Sequence, residues 1–254
     1  MKKLFAFKRL STKITFMIGA MVIIVAGGIA GYMQTRILTE IGRHTDLSLQ
    51  FQAREMAEEC NLAFVDAVYR VGSLRNLAAS SLDVGAYIND PEGYLHDSLY
   101  ESLGGYMHSM ISASDYLSAT YMTLDPNLAG YPFVGELYYA ETDDGVEYIT
   151  DEPIPYEDYQ ENDPDMEWFF GAFKSGGPYW TRIYLDFGML MVSYAEPIII
   201  NGATVGITGA DLPIDHIKDM IGNVRVYDTG FAVLEDAYGE FIQGNDIIGR
   251  IGSG

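Results

Sequence analysis

The chain holds one cysteine, Cys60, among its 254 residues, so no internal disulfide can form. It has no CxxC pair, and its four scattered histidines (His44, His96, His108, His216) lack metal-ligand spacing. Basic residues are scarce as well: 15 Lys and Arg stand against 36 Asp and Glu, a formal net charge of -21. A nucleic-acid backbone needs the opposite field, which excludes nucleic-acid partners. No G-x-S-x-G, H-E-x-x-H, P-loop or dinucleotide fingerprint occurs. GITGADL (206–212) has a phosphate loop's glycines without their order. Asp143, Asp144 and Glu147 fail the EF-hand spacing, and a DDG turn needs no metal. The expectation is a non-enzyme with no cofactor and no metal. An extracytoplasmic hydrolase, which would need converging acids in a polar cleft, is the distant rival.

What is present is unevenly placed. Five of the 15 basic residues fall within the first 13 (Lys2, Lys3, Lys8, Arg9, Lys13), and no acid precedes Glu40. Residues 14–35, ITFMIGAMVIIVAGGIAGYMQT, carry no charge. At about 1.5 Å rise per residue that run crosses a bilayer core of about 30 Å. The positive-inside rule then puts residues 1–13 in the cytoplasm and 36–254 outside. A cleaved signal peptide is the competing reading, although the run exceeds the usual apolar region and no A-x-A site follows.

Residues 37–82 read as one long helix, with Leu38, Ile41, Leu47, Phe51, Met56, Leu62, Val65, Leu74 and Leu77 near helical spacing and no proline. SLDVGAYINDPEGY (81–94) punctuates the chain, and a helix follows over 94–111, interrupted at Gly104 and Gly105. Alternation predicts a strand over 116–126 and a hairpin over 136–149 with DDG as its turn. The acidic, Pro-rich 151–165 is a loop, and 166–176 a short helix ended by glycine. Strands over 189–200 and 203–212 join at Asn201-Gly202, a type I′ signal. Pro213 opens a helix over 213–224, and 230–244 is a further hairpin. The fold class is α+β.

From Asn76 through Phe173 there is no Lys or Arg, yet 20 acids occur. Such a surface gathers cations. Trp168, Trp180, Tyr184, Asp186 and Asp211 stand out as pocket candidates, because a carboxylate beside aromatic faces suits an ammonium group. Core packing is the competing reading for both tryptophans, and a turn or helix cap for the two acids.

Three segments carry a family resemblance: EWFFGAFKSGGPYWTRIYLD (167–186), MVSYAEPIIINGATVGITGADLPIDHI (191–217) and VYDTGFAVLEDAYGEF (226–241). In this order and spacing they resemble the double Cache extracellular sensor domain of bacterial chemoreceptors, sensor histidine kinases and diguanylate cyclases. The resemblance implies a transmembrane helix (14–35), a stalk helix (36–83) and a membrane-distal PAS-like antiparallel-sheet domain that binds ligand (84–212). A second, smaller membrane-proximal PAS-like domain begins at 213, and 213–254 holds only its start. The expectation is a chain truncated before the second membrane helix and output module that normally follow. In the amino-acid-binding branch an R-x-W-Y segment, a Y-x-D and a final Asp hold the ligand. Trp168 matches the Trp, Phe169 stands at the Tyr, Tyr184 and Asp186 match Y-x-D, and Asp211 matches the final Asp. Met166 occupies the place of the arginine, and a thioether cannot pair with a carboxylate. With Trp180 added, these are the expected ligand residues. The resemblance thus implies a small extracellular ligand, an amine among the candidates, and a homodimer through the stalk helix, anchored in a lipid bilayer. A non-sensing structural or dimerisation module is the rival.

Overall fold

A computed structural model describes residues 10–130, 134–149, 154–186 and 188–222, with short strands at 225–226, 230–231, 234–235 and 241–243. The chain divides into two compact units, residues 1–57 and 58–254. In the first unit, α1 (Leu10–Ser81) begins. It is the one helix among the described residues that is long and apolar enough to cross a membrane. Met21, Ile23, Ile24 and Tyr32 are all exposed there. A helix apolar all round fits lipid rather than water.

The second unit opens with the remainder of α1. Ala63, Ala67, Val71, Leu74 and Ala78 are buried at spacings of four, four, three and four, one stripe of a helix. Two short helices follow, where the sequence read only punctuation: α2 (Val84–Asn89) and α3 (Pro91–Gly93). Asp83 accepts from the Ala86 amide and Asp90 from the Gly93 amide, so side-chain caps supply what length cannot. A π-helical stretch, Tyr94–Leu99, runs into α4 (Tyr100–Ser112). Arg70 ties α1 to the end of α4: its guanidinium donates to the Met110 and Ala113 carbonyls at 3.0 and 2.8 Å, while Asp66 accepts from its Nε.

The sheet comprises β1 (Ala119–Leu124), β2 (Glu136–Thr142), β3 (Gly145–Tyr148), β4 (Tyr179–Trp180), β5 (Tyr184–Asp186), β6 (Met189–Ile200) and β7 (Ala203–Pro213). Between β1 and β2 stands α5 (Pro126–Ala129), and α6 (Glu167–Ser175) precedes β4. Strand order is β3-β2-β1-β7-β6-β4, with β5 also on β6, and every pairing is antiparallel. Asn201 and Gly202 both have positive φ, 52° and 83°, as the expected two-residue turn requires. Between the expected helix over 166–176 and the expected strand over 189–200, the short strands β4 and β5 pair with β6. Pro213 ends β7 rather than opening a helix, and α7 spans Asp215–Gly222. Pro213 stands opposite Met191, and a proline is tolerated at a strand end because no further ladder bond is required of it. Of the hairpin expected over 230–244, β10 (Leu234–Glu235) pairs with β11 (Phe241–Gln243), and β9 (Gly230–Phe231) pairs with β8 (Arg225–Val226); the rest lies outside the described residues.

The period of two sorts the sheet into faces. Met122, Leu137, Tyr139, Val192, Tyr194, Ile198 and Leu212 join the core that α1 and α4 cover. Tyr121, Ala195 and Ile207 point the other way and pack with Phe169 and Ala172 of α6. This second face carries the site.

Candidate functional site

On the α6 side of the sheet lies a cavity of about 570 Å³. That volume suits a small molecule. Tyr121 and Tyr138 of β1 and β2 line it, standing directly opposite each other in the ladder. Pro164 through Trp168 contribute from the start of α6, and Thr181, Tyr184 and Leu185 from the segment around β5. Four carboxylates reach it: Glu136, Asp165, Glu167 and Asp211. Among the described residues no Lys, Arg or His lines it.

Asp211 is 5% exposed, and β6 holds it in place. Ser193, its partner across the β6–β7 ladder, donates from Oγ to Asp211 Oδ1 at 2.5 Å. The Tyr184 hydroxyl lies 2.6 Å from Ser193 Oγ and 3.4 Å from the same Asp211 oxygen. Ser193 is itself fixed by its backbone N–H, which donates to Thr181 Oγ1 at 2.9 Å. A buried carboxylate is tolerated when hydrogen bonds replace its water, and here two hydroxyls do so. Burial, reinforced by the charge of Asp211, raises the Tyr121 hydroxyl well above the usual phenol range. A hydrogen bond from the Ser193 side chain offsets part of that rise.

Glu167 is neutralised from outside: Tyr179 donates to its Oε1 at 2.8 Å, and Arg182 Nε lies 3.3 Å from Oε2. Among the described residues Glu136 has no such cation. The Thr123 hydroxyl donates to its Oε1 at 2.8 Å, yet desolvation still raises its carboxyl above the ordinary range. A raised carboxyl favours the fold below the ordinary Glu pKa, and that advantage is lost as pH rises through the higher folded value. Glu136→Gln should therefore melt higher than the parent at pH 7. The gap should close in melts recorded toward pH 4; a parent that is the more stable at pH 7 contradicts the assignment.

Three of the six expected ligand residues meet at the cavity. Trp168, Tyr184 and Asp211 all line it, and Trp168 sets its ring edge-on to Tyr121 at 5.0 Å. Two stand elsewhere. Phe169 is fully buried and stacks on Phe173 at 5.2 Å, because successive helical residues point about 100° apart. Trp180 is opposite Tyr194 in the β4–β6 ladder and shares its face, so it packs on Tyr194 and on Phe64 of α1. The side chain of Asp186 lies outside the described residues. Met166 is 7% exposed and lines the cavity where the resemblance sets an arginine. Sequence reasoning missed Tyr121, Glu136 and Tyr138; an acid opening an alternating strand beside aromatics was their one signal. Among the described residues no three metal-ligating side chains converge, at Asp143, Asp144 and Glu147 or elsewhere.

Residues 103–219 match the family model described as "Methyl-accepting chemotaxis protein-like, first PDC sensor domain". No curated protein matches the chain by sequence. Among solved structures, the extracellular domain assigned to a histidine kinase, soHK1S-Z6, is similar at 20% identity and a TM-score of 0.56, covering 78% of this chain and 69% of that one. The ligand-binding domain of the Pseudomonas aeruginosa PAO1 amino-acid chemoreceptor PctC, solved with GABA, is similar at 13% identity and a TM-score of 0.50. That match covers 75% of this chain and 70% of the other. At these identities the two likenesses establish the fold alone. The antiparallel sheet and the cavity on its α6 face accord with that family match, by which residues 103–219 are similar to the first PDC sensor domain of chemoreceptor-like proteins.

Proposed function

We propose that the chain is a membrane-anchored sensor whose domain, outside the cytoplasm, binds a small amine in the α6-side cavity and signals across the bilayer. The carrying observation is the charge of the lining: four carboxylates, one of them the buried Asp211, and no cationic side chain among the described residues. An ammonium set against Asp211 meets a fixed anion and the aromatic faces of Tyr121, Tyr184 and Trp168. A free amino acid would also bring a carboxylate, and Met166 gives it no partner. A module that only packs or dimerises would have no use for so large a cavity.

In this reading residues 14–35 span the bilayer, 1–13 face the cytoplasm, 84–212 form the ligand-binding domain, and 213–254 begin a second one. Two copies pair through the stalk helix, on which Leu62 and Tyr69 are exposed apolar residues. Ligand then shifts an equilibrium between arrangements of the paired helices, by no more than its difference in affinity for the two.

Isothermal calorimetry on the full chain in nanodiscs tests the reading with a panel of alkylamines, amino acids and organic acids. Amines should give saturable heat and organic acids none. Asp211→Asn should weaken amine binding by at least about tenfold, since a hydrogen bond to a charged group is at stake. Tyr184→Phe should weaken it less, because Ser193 still donates to Asp211. Amine affinity unchanged in Asp211→Asn, or no saturable heat from any amine, would overturn the proposal.

A further inference from the structure

The two ends of the cavity differ in chemistry. In the ladder register Asp211 is opposite Ala119 and Glu136 is opposite Thr123, on the two strands that flank β1. Residues 119, 121 and 123 share a face by the period of two, so both acids lie on the face of Tyr121. Four residues along a strand and two strand spacings across separate their backbones by about 16 Å. Hydroxyls of both Ser193 and Tyr184 meet Asp211. Glu136 takes a single bond, from Thr123 to Oε1, and its Oε2 meets no donor among the described residues.

What faces Glu136 decides its chemistry. Thr123 stands opposite on β1, and Tyr138 follows two residues along β2. Tyr148 of β3 and Tyr159, on the segment before α6, both feel its charge. Asp165 and Glu167 share the cavity with it from the start of α6. None of these is a cation, so nothing among them offsets the water that the carboxyl gives up. A carboxylate so placed is disfavoured against its neutral acid. Desolvation accordingly raises the Glu136 carboxyl, and the Thr123 bond offsets only part of the rise. With Thr123 donating to Oε1, that atom takes the carbonyl role and Oε2 carries the proton. A protonated carboxyl is a hydrogen-bond donor, so this end of the cavity calls for an acceptor. The rings of Tyr121, Tyr138 and Trp168 line the span between the two ends and suit a methylene chain.

We propose that the cavity takes a linear amine with an uncharged oxygen at its far end, an amino alcohol being the simplest case. The ammonium group sits at Asp211, and the oxygen accepts from Glu136 Oε2. This rests on the amine reading above and goes beyond it by naming the group at the other end of the ligand. Glu136 then sets specificity: it rewards an acceptor, leaves a methyl end with an unmet donor, and gives a second ammonium group no acceptor until its proton is released to water.

The test is calorimetry at pH 7 on the full chain in nanodiscs with hexylamine, 5-amino-1-pentanol and 1,5-diaminopentane. These are equal in length and end in a methyl, a hydroxyl and an ammonium group. The amino alcohol should bind about fivefold or more tighter than hexylamine, the worth of one hydrogen bond between neutral groups. It should also bind more tightly than the diamine. Glu136→Gln should keep the preference for hydroxyl over methyl, because its amide nitrogen donates where Oε2 did. Glu136→Leu should abolish that preference while hexylamine still binds, and thermal melts check that both variants fold. The diamine comparison uses the parent alone, so it decides even where Glu136→Leu does not fold. A diamine bound more tightly than the amino alcohol overturns this proposal and leaves the amine reading standing. Hexylamine bound as tightly as the amino alcohol, or a hydroxyl preference that survives in Glu136→Leu, overturns it in the same way. Absence of binding by all three ligands overturns both.

Discussion

Replacing Gly206 with alanine should destabilise the sensor domain by about 3 kcal/mol or more, the range of a severe overpacking substitution. Gly206 lies in β7, between β1 and β6, opposite Leu124 on one side and Ile198 on the other. A Cβ there would sit 2.5 Å from the Thr123 carbonyl oxygen and 2.9 Å from the Leu124 Cα. Both are backbone atoms of a paired strand, so no rotamer change relieves the clash. The register also shifts at this point, with Ile198 opposite Gly206 and Ile199 opposite Thr204, which leaves Val205 as the extra residue of a bulge. The bulge brings two backbones close, and glycine is the residue that allows it. For a domain of this size the melting temperature should fall by roughly 10 °C. Gly209→Ala is the comparison. Its Cβ would meet the Tyr121 ring at 2.3 Å, a side chain at the cavity wall that has open space to turn into. Gly209→Ala should therefore keep more of the stability while altering the cavity. Equal melting of Gly206→Ala and the parent would show that the strands part more easily than their ladder implies.

The same contrast between local and distant constraints explains what the sequence made legible. Asn201-Gly202 was readable because two adjacent residues determine the turn by themselves. The helix α1 was readable from an apolar period without proline, but its buried stripe was not: of the residues read at helical spacing Leu74 alone is buried, Leu62 and Val65 are exposed, and the stripe is built on the small Ala63, Ala67 and Ala78 with Val71. Gly104 read as an interruption, yet α4 runs through it: a Cβ there would lie 2.5 Å from the Tyr139 hydroxyl, so the glycine answers to a strand 35 positions away. The site divides in the same manner. Trp168, Tyr184 and Asp211 sit within segments that the family pattern marks, and the cavity gathers them. Tyr121, Tyr138 and Glu136 arrive through strand pairing, and alternation gives two faces without saying which one meets α6. Phe169 was named from its place at the Tyr of the family segment and Trp180 as an aromatic near a carboxylate; their rings turn to cores on opposite faces of the sheet.

Glu196→Ala should be the second large loss, and it bears on how the cavity speaks to α1. Along β6, Ser193 faces the cavity side and holds Asp211, while Tyr194 and Glu196 face α1. Glu196 is 8% exposed; it accepts from the Tyr194 hydroxyl at 2.8 Å, and Arg75 Nε of α1 lies 3.1 Å from its other oxygen. The contact with Arg75 is an ion pair rather than an aligned hydrogen bond. Truncating one partner of a buried pair typically costs about 3–5 kcal/mol, because the other is left uncompensated. Arg75 has a side chain 39% exposed and can turn toward water, which moves the expected value to about 3 kcal/mol. Glu196→Gln should lose less, since an amide oxygen still accepts from Tyr194. The pair itself is isolated by a double-mutant cycle with Arg75→Met, read by urea unfolding of the full chain. A coupling of about 1 kcal/mol or more would mark Glu196–Arg75 as a working tie between β6 and α1. Additive losses would show instead that each side chain only packs, and that α1 must follow β6 through the apolar stripe of Ala67, Val71 and Leu74 alone. With the tie in place, one strand carries Asp211's anchor on one face and α1's on the other. A shift of Ser193 then reaches Arg75 on α1 through two neighbouring residues of one strand.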